Sequence, residues 1–179
     1  MPKINPGGHA IMLAVRLPVT IRNTMTFWAN SKDGRVCDFE NAHCTVLFAG
    51  NDLSVETGLR MMGAAQELDV EMLPKELIST GRYSMFGAQR DTAVVLVEKT
   101  PELARLRHYF TERLGSKSTF AFTPHVSLGK GASYDSPCRL RHTATHATIC
   151  KIEVAALLVK AGSRTFRVKT LYNGEWYGN

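Results

Sequence analysis

Short apolar runs and amphipathic stretches alternate along the first part of this chain. Residues 10–18, AIMLAVRLP, are a compact apolar run that ends in proline, which predicts a buried strand. Residues 20–30, TIRNTMTFWAN, fit a short helix, and residues 31–41, SKDGRVCDFEN, carry the turn residues and mixed charge of a loop. Residues 54–68, SVETGLRMMGAAQEL, place apolar side chains at helical spacing behind Ser54, which can cap a helix.

The middle of the chain, residues 74–115, predicts a strand, a turn, a second strand and a helix. Residues 92–98, TAVVLVE, have the β-branched content of a buried strand. Thr100 and Pro101 supply the cap and the first-turn proline of the helix, and Gly115 marks its end. Its apolar face is formed by Leu103, Leu106, Phe110 and Leu114.

The C-terminal part predicts further strands. Residues 150–162, CKIEVAALLVKAG, form one strand, and residues 165–178 form a hairpin whose turn is Asn173-Gly174. The order of elements along residues 1–179 indicates one α+β domain made of two similar lobes around a central sheet. Residues 1–9 precede the first strand as a flexible lead-in.

Two tripeptides carry the chemistry that stands out: His43-Cys44-Thr45 in NAHCTVLFAG and His125-Val126-Ser127 in FTPHVSLGKG. Side chains alternate along a strand, so the imidazole and the hydroxyl of each tripeptide project to the same side. Two such strands placed side by side would line a cleft with two proton-transfer groups and two neutral hydroxyls. Phosphoryl transfer without a metal requires such a set.

Composition and charge indicate the kind of partner and the cellular location to expect. The chain has 22 Lys and Arg against 16 Asp and Glu, and its formal charge of +6 favours a polyanionic partner such as a nucleotide or RNA. The four cysteines include no Cys-x-x-Cys pair, so we expect reduced, ordinary cysteines. The first residues lack the layout of a signal peptide, and no apolar run is long enough to span a membrane, so we expect a cytoplasmic protein without a membrane partner. We also expect a monomer.

The doubled tripeptide resembles the motifs of the two-histidine (2H) phosphoesterase superfamily. The resemblance is to the branch that includes 2'-5' RNA ligase-like proteins and RNA 2',3'-cyclic phosphodiesterases. HCTVLFAG is similar to the first motif and FTPHVSLGKG to the second, with Ser127 where threonine is commoner. The resemblance extends to residues 10–18, 79–106 and 152–162. It implies a bilobal fold, with two lobes of antiparallel sheet and flanking helices around a central cleft.

The resemblance also implies roles for four residues. His43 and His125 would act as acid and base, and Thr45 and Ser127 would hold phosphate oxygens. The chemistry of a phosphodiester agrees, since one group must deprotonate the attacking oxygen while another protonates the leaving oxygen. Which histidine acts as base depends on how the substrate lies, and the sequence leaves both assignments open. No cofactor is expected.

Five further residues are candidates for binding the substrate. Lys130 occupies a position where the family often has arginine near the phosphate. Strict alternation points it away from the cleft unless a bulge or its long stem brings it back. Phe48 has the same offset from His43 and is equally compatible with the core. Tyr83, Phe86 and Arg90 lie in a glycine-and-aromatic loop where rings can stack on a base, or where they serve as ordinary loop anchors and a solvated arginine.

Two other motifs give only weak evidence of function. His142 and His146 have the spacing of two zinc ligands on a helix, but no carboxylate follows them, so we expect a surface pair and no metal site. The LGKG stretch around Lys130 lacks the first glycine and the final Ser or Thr of a phosphate-binding P-loop.

The sequence therefore predicts a metal-independent phosphodiesterase that acts on a ribonucleotide linkage. Its substrate would be a terminal 2',3'-cyclic phosphate, a 2'-5'-linked oligonucleotide, or a cyclic oligonucleotide messenger of the kind that phage anti-CBASS enzymes of this superfamily destroy. The alternative is a nucleotide- or RNA-binding protein on the same scaffold that has lost turnover. The two complete His-hydroxyl pairs favour the enzyme, because a pure binder needs no pair of imidazoles.

Overall fold

The computed structural model describes residues 10–31, 34–37, 39, 42–48, 55–115, 121–131, 146–160, 163–172 and 175–177. The helices are α1 (Val19–Ser31), α2 (Val55–Gln66) and α3 (Pro101–Leu114), and a short 3-10 helix spans Val70–Met72. The strands are β1 (Ala10–Arg16), β2 (Arg35–Val36), β3 (His43–Phe48), β4 (Glu76–Phe86), β5 (Thr92–Val97), β6 (His125–Lys130), β7 (His146–Lys160), β8 (Ser163–Tyr172) and β9 (Glu175–Tyr177). No helix in this part of the chain is long and apolar enough to cross a membrane.

The described strand pairs are antiparallel, and the order across the sheet is β1-β3-β6-β5-β4-β7-β8-β9. Strand β7 pairs with β4 through its first residues and with β1 along much of its length, which joins the two ends of the β1-to-β4 array. The predicted α+β class is therefore confirmed. The two strands that carry the histidine tripeptides, β3 and β6, are neighbours at the centre of this array.

One face of the sheet carries the main core. Buried side chains of the three helices belong to the same apolar cluster as alternate residues of β1, β3, β5 and β6. The large helical side chains that are fully buried are those of Ile21, Met25, Met61, Leu103, Leu106 and Phe110. Burial of side chains of this size contributes roughly 1.5–3 kcal/mol each before entropic costs, so this cluster stabilises the packing of the two motif strands against the helices.

Helix α3 begins and ends where the sequence predicts. The Thr100 hydroxyl accepts a hydrogen bond from the Leu103 amide at 3.3 Å, and Pro101 occupies the first turn. Gly115 ends the helix with φ of 60°, a left-handed conformation that glycine adopts without strain. The predicted strands at the N-terminus, at residues 92–98 and in the C-terminal hairpin are present as well.

Two predictions of loops are wrong. Within residues 31–41, the backbone of Arg35 and Val36 forms β2, which pairs with Lys130 and Gly129 of β6. The first strand predicted within residues 74–115 is present as β4, but it extends to Phe86 and takes in most of the predicted glycine-and-aromatic loop, because its side chains alternate between buried and more exposed positions as a strand requires. The predicted lead-in 1–9, the Ser54 cap, the Asn173-Gly174 turn and His142 lie outside the described residues.

Candidate active site

The middle residues of the two tripeptides face each other across the centre of the sheet. Cys44 of β3 pairs with Val126 of β6, and both side chains are buried in the main core. Burial raises the pKa of the Cys44 thiol to about 12, because the thiolate would lose its hydration there. Cys44 therefore serves as a small apolar residue beneath the site.

The four polar residues of the tripeptides lie together on the opposite face of the sheet. Because the strands are antiparallel and the middle residues are in register, His43 lies across from Ser127 and Thr45 lies across from His125. All four side chains are partly exposed. The two imidazoles thus occupy one diagonal of a four-residue square, and the two hydroxyls occupy the other.

A β-bulge follows the first tripeptide. The register between β1 and β3 slips by one residue at Val46, which reverses the alternation of side chains beyond it. Leu47 is therefore fully buried, and Phe48 turns to the face that carries His43. The Phe48 side chain is 45% exposed, so its ring is available at the edge of the site.

A second bulge follows the second tripeptide at the equivalent position. The register between β5 and β6 slips at Leu128, and the burial pattern of β6 repeats that of β3 residue for residue. The bulge brings Lys130 to the face that carries His125. A bulge of this kind is one of the two ways in which the sequence analysis allowed Lys130 to reach the substrate. The Lys130 ammonium lies 3.7 Å from a carboxylate oxygen of Asp91, and Arg35 lies directly across from it on β2.

His125 is held by two neighbours. Its Nδ1 lies 2.8 Å from the carbonyl oxygen of Thr123, a separation at which the ring N–H donates to that oxygen. The ring of Phe86 packs edge-on against the imidazole with centroids 4.5 Å apart. With Nδ1 protonated, the neutral ring keeps Nε2 as a hydrogen-bond acceptor that faces outward from this contact.

The surroundings of His125 disfavour its charged form. Burial lowers the pKa of the imidazole below its ordinary value, and a positive charge on His43 lowers it further. The hydrogen bond to Thr123 opposes these effects only in part. The two imidazoles are therefore electrostatically coupled, and His125 favours the neutral form that accepts a proton.

The other predicted binding residues lie in different places. Tyr83 is 3% exposed and belongs to the main core, so the prediction that it stacks on a base is wrong. Burial raises the pKa of its hydroxyl to about 12, and the side chain of Thr24 partly opposes that rise. Phe86 is on the site face but its ring rests on His125. Arg90 is exposed in the turn before β5 and precedes Asp91, whose carboxylate pairs with Lys130.

Apolar residues that were not predicted from the sequence form the floor of the site. Met12 pairs with Thr45 and Ala10 pairs with Phe48, and these two buried residues of β1 form a cluster separate from the main core. Val94 pairs with Ser127 and is fully buried without belonging to the main core. Strand alternation places all three on the site face, where an apolar floor can support a sugar or a base.

Two contacts near the motif strands were also missed, namely the one between His125 and the Thr123 carbonyl and the hydrogen bond from Arg107 to the Val46 carbonyl. The pairing of His125 with the residue two positions earlier has no sequence signature, because any residue type supplies a carbonyl. Nothing in the sequence distinguishes Arg107 from the other residues of the helix.

In the described part of the chain, no group of three or more His, Cys, Asp or Glu side chains is placed to hold a metal ion.

Comparisons with known proteins identify the fold. No family model and no curated protein matches the sequence. The structure is similar to that of E. coli LigT complexed with 3'-AMP, with a TM-score of 0.53, 18% identity, and coverage of 96% of this chain and 98% of that one. It is also similar to a structure described as a phosphoesterase, with a TM-score of 0.58, 16% identity, and coverage of 97% and 98%.

A third similar structure is TT0787 of Thermus thermophilus, with a TM-score of 0.58, 13% identity, and coverage of 96% of this chain and 97% of that one. The three matches extend over nearly the whole of both chains in each comparison. The chain therefore has the same fold as E. coli LigT and these two structures, as the sequence resemblance predicted.

Proposed function

We propose that this chain, which has the fold of E. coli LigT, is a metal-independent phosphodiesterase that cleaves ribonucleotide linkages. The observation that carries the proposal is the register of β3 and β6, which gathers His43, Thr45, His125 and Ser127 on one sheet face. Two imidazoles and two hydroxyls in a square are the groups that acid-base cleavage of a phosphodiester needs.

His125 acts as the general base. Its Nδ1 hydrogen bond to Thr123 leaves Nε2 as the acceptor, and burial lowers its pKa, so it is neutral and ready to take a proton from the attacking oxygen. His43, on the other end of the diagonal, then delivers a proton to the leaving oxygen.

The remaining groups hold the phosphate and the nucleoside. The hydroxyls of Thr45 and Ser127 donate to non-bridging oxygens without quenching either imidazole. Lys130 adds a positive charge at one end of the site, and Arg90, which precedes Asp91 in the turn before β5, supplies a second. Phe48 offers an exposed ring at the other end, above the apolar floor, where a nucleobase can stack.

Nucleotides are the favoured class of substrate. The net charge of +6 suits an anionic ligand, and E. coli LigT has been crystallised with 3'-AMP, with ATP and with NADP+. Three ribonucleotide linkages fit the chemistry of the site: a terminal 2',3'-cyclic phosphate, a 2'-5' linkage, and the linkages of a cyclic oligonucleotide.

Product analysis on a panel of these three substrates tests the proposal. We expect cleavage of at least one of them by the wild type, and no cleavage by a His43→Ala, His125→Ala double variant that binds the same nucleotide. Binding of the panel by the wild type without any product would instead support the nucleotide-binding alternative. A wild-type protein that neither binds nor cleaves any member of the panel would contradict both the enzyme proposal and the nucleotide-binding alternative.

A further inference from the structure

The two bulge residues of the motif strands, Val46 and Leu128, each have a carbonyl oxygen that accepts a hydrogen bond from outside β1 and β5. The Leu128 carbonyl accepts a hydrogen bond from the backbone amide of Cys37 at 2.8 Å, which belongs to the segment that continues β2. The Val46 carbonyl accepts a hydrogen bond from Nη1 of Arg107 at 2.8 Å. The donor at the Leu128 bulge is therefore a backbone amide, whereas the donor at the Val46 bulge is a side chain of α3.

Arg107 also contacts the segment that leads into the second motif. Its guanidinium lies over the ring of Phe122, with 4.4 Å between the guanidinium carbon and the ring centroid. Phe122 is partly buried against the main core, three residues before His125. One side chain therefore connects the end of the first tripeptide to the approach of the second.

The environment of Arg107 suits a fixed role. The side chain is partly buried, and burial lowers the pKa of its guanidinium. A charged group that loses hydration needs strong compensating contacts, and a hydrogen bond from an ionised donor is about twice as strong as a neutral one. The bond to Val46 and the contact with Phe122 provide that compensation.

We propose that Arg107 is a positioning residue that holds the Val46 bulge and thereby sets the orientation of Phe48. The bulge is what turns Phe48 toward the site, because strict alternation would place it in the core. Loss of the Arg107 bond leaves a buried carbonyl without its donor and favours the unbulged register.

Hydrogen exchange measured by mass spectrometry tests this inference without any substrate. In Arg107→Met, which keeps the apolar stem, we expect amides of residues 43–48 to exchange roughly tenfold faster or more, the effect of losing a hydrogen bond to a charged donor. Residues 128–130 serve as the internal reference, since their bulge depends on a backbone donor. Arg105→Met, an exposed arginine on the same helix, serves as the matched control and should change neither segment.

A second variant covers the case in which Arg107→Met does not fold. Arg107→Lys keeps a charged donor but lacks the flat guanidinium, so we expect a smaller increase in exchange confined to residues 43–48. Exchange in residues 43–48 that matches the wild type, or an equal increase throughout the protein, would overturn the positioning role.

A kinetic experiment adds a readout that rests on the proposed function. Phe48→Ala should raise KM severalfold in the wild type but by less than about twofold in Arg107→Met, because the ring no longer faces the site there. Equal effects in the two backgrounds would contradict the link to Phe48. If no substrate of the panel is cleaved, the proposed function fails while the exchange experiment still decides the role of Arg107.

Discussion

Cys44 and Val126 pair across β3 and β6, and this single register determines which polar groups of the two tripeptides meet. A shift of either strand by one residue would carry its histidine and its hydroxyl to the core face, since side chains alternate along a strand. The observed register instead gives each imidazole the hydroxyl of the other tripeptide as its neighbour. Buried apolar side chains beneath the square hold that register in place.

The first prediction concerns the two histidines. His43→Ala and His125→Ala should each lower kcat by roughly a hundredfold to ten-thousandfold, the usual loss for a general acid or base, while the nucleotide still binds. His108→Ala is the control, because His108 is exposed on α3 beside Glu112. Steady-state kinetics and a binding titration measure the two effects. Near-full activity of either motif variant would contradict the acid-base assignment.

A second prediction concerns metal ions. Imidazoles move the protons and hydroxyls hold the phosphate in the proposed reaction, so activity should survive dialysis against a chelator and show a bell-shaped pH profile. The profile is expected to change shape in Thr45→Ala less than in either histidine variant. Loss of activity on chelation, restored by zinc or manganese, would point to a metal-dependent mechanism instead.

A third prediction links His125 to stability. Burial lowers its pKa in the folded protein, so below the unfolded value of about 6.5 the unfolded chain binds a proton that the folded chain resists. The free energy of unfolding should therefore fall as the pH drops through that window. Urea unfolding at about pH 7.5 and about pH 5 should show a larger loss for the wild type than for His125→Gln. An equal loss in both proteins would show that His125 is not the group responsible.

A fourth prediction uses the ion pair between Lys130 and Asp91. If Lys130 contacts a substrate phosphate, Lys130→Gln should raise KM severalfold, and Asp91→Asn should lower it because the ammonium loses its competing carboxylate. Both effects should shrink as salt increases. Arg105→Gln, which removes an exposed charge on α3, is the control. Changes of KM in the same direction for both variants would argue against the phosphate contact.

The sequence was sufficient for the parts of the site that depend on local pattern. The two tripeptides, the caps of α3 at Thr100 and Gly115, and the α+β class follow from short-range spacing. The two bulges could not be predicted from short-range spacing, because Val46 and Leu128 are not glycine and carry no other local signal. Their positions depend on which residue of the neighbouring strand lies opposite. The bond from Arg107 to Val46 joins residues 61 positions apart. Tyr83 was misplaced because an aromatic residue near glycine suits both a binding loop and a buried strand.

The last prediction concerns the nucleophile, and it follows from what two imidazoles alone can activate. In an internal 3'-5' linkage the neighbouring 2'-hydroxyl is already within attacking distance, so the enzyme need only deprotonate it and protonate the leaving 5'-oxygen. A 2',3'-cyclic phosphate should then be the first product. For a 2'-5' linkage the 3'-hydroxyl attacks, and for a terminal cyclic phosphate water attacks and leaves one regioisomer of the monophosphate.

Replacement of the attacking ribose hydroxyl by hydrogen separates this mechanism from others. Such a substrate should bind the wild type almost as well as the parent, since the phosphate and base contacts remain, but internal cleavage should fall below detection. Chromatography of the products and a competition assay measure the two quantities. The matched control is the same oligonucleotide with the hydroxyl removed one residue away from the scissile linkage, which should be cleaved normally. Efficient hydrolysis of an all-deoxy substrate would show that water or another nucleophile attacks internal linkages.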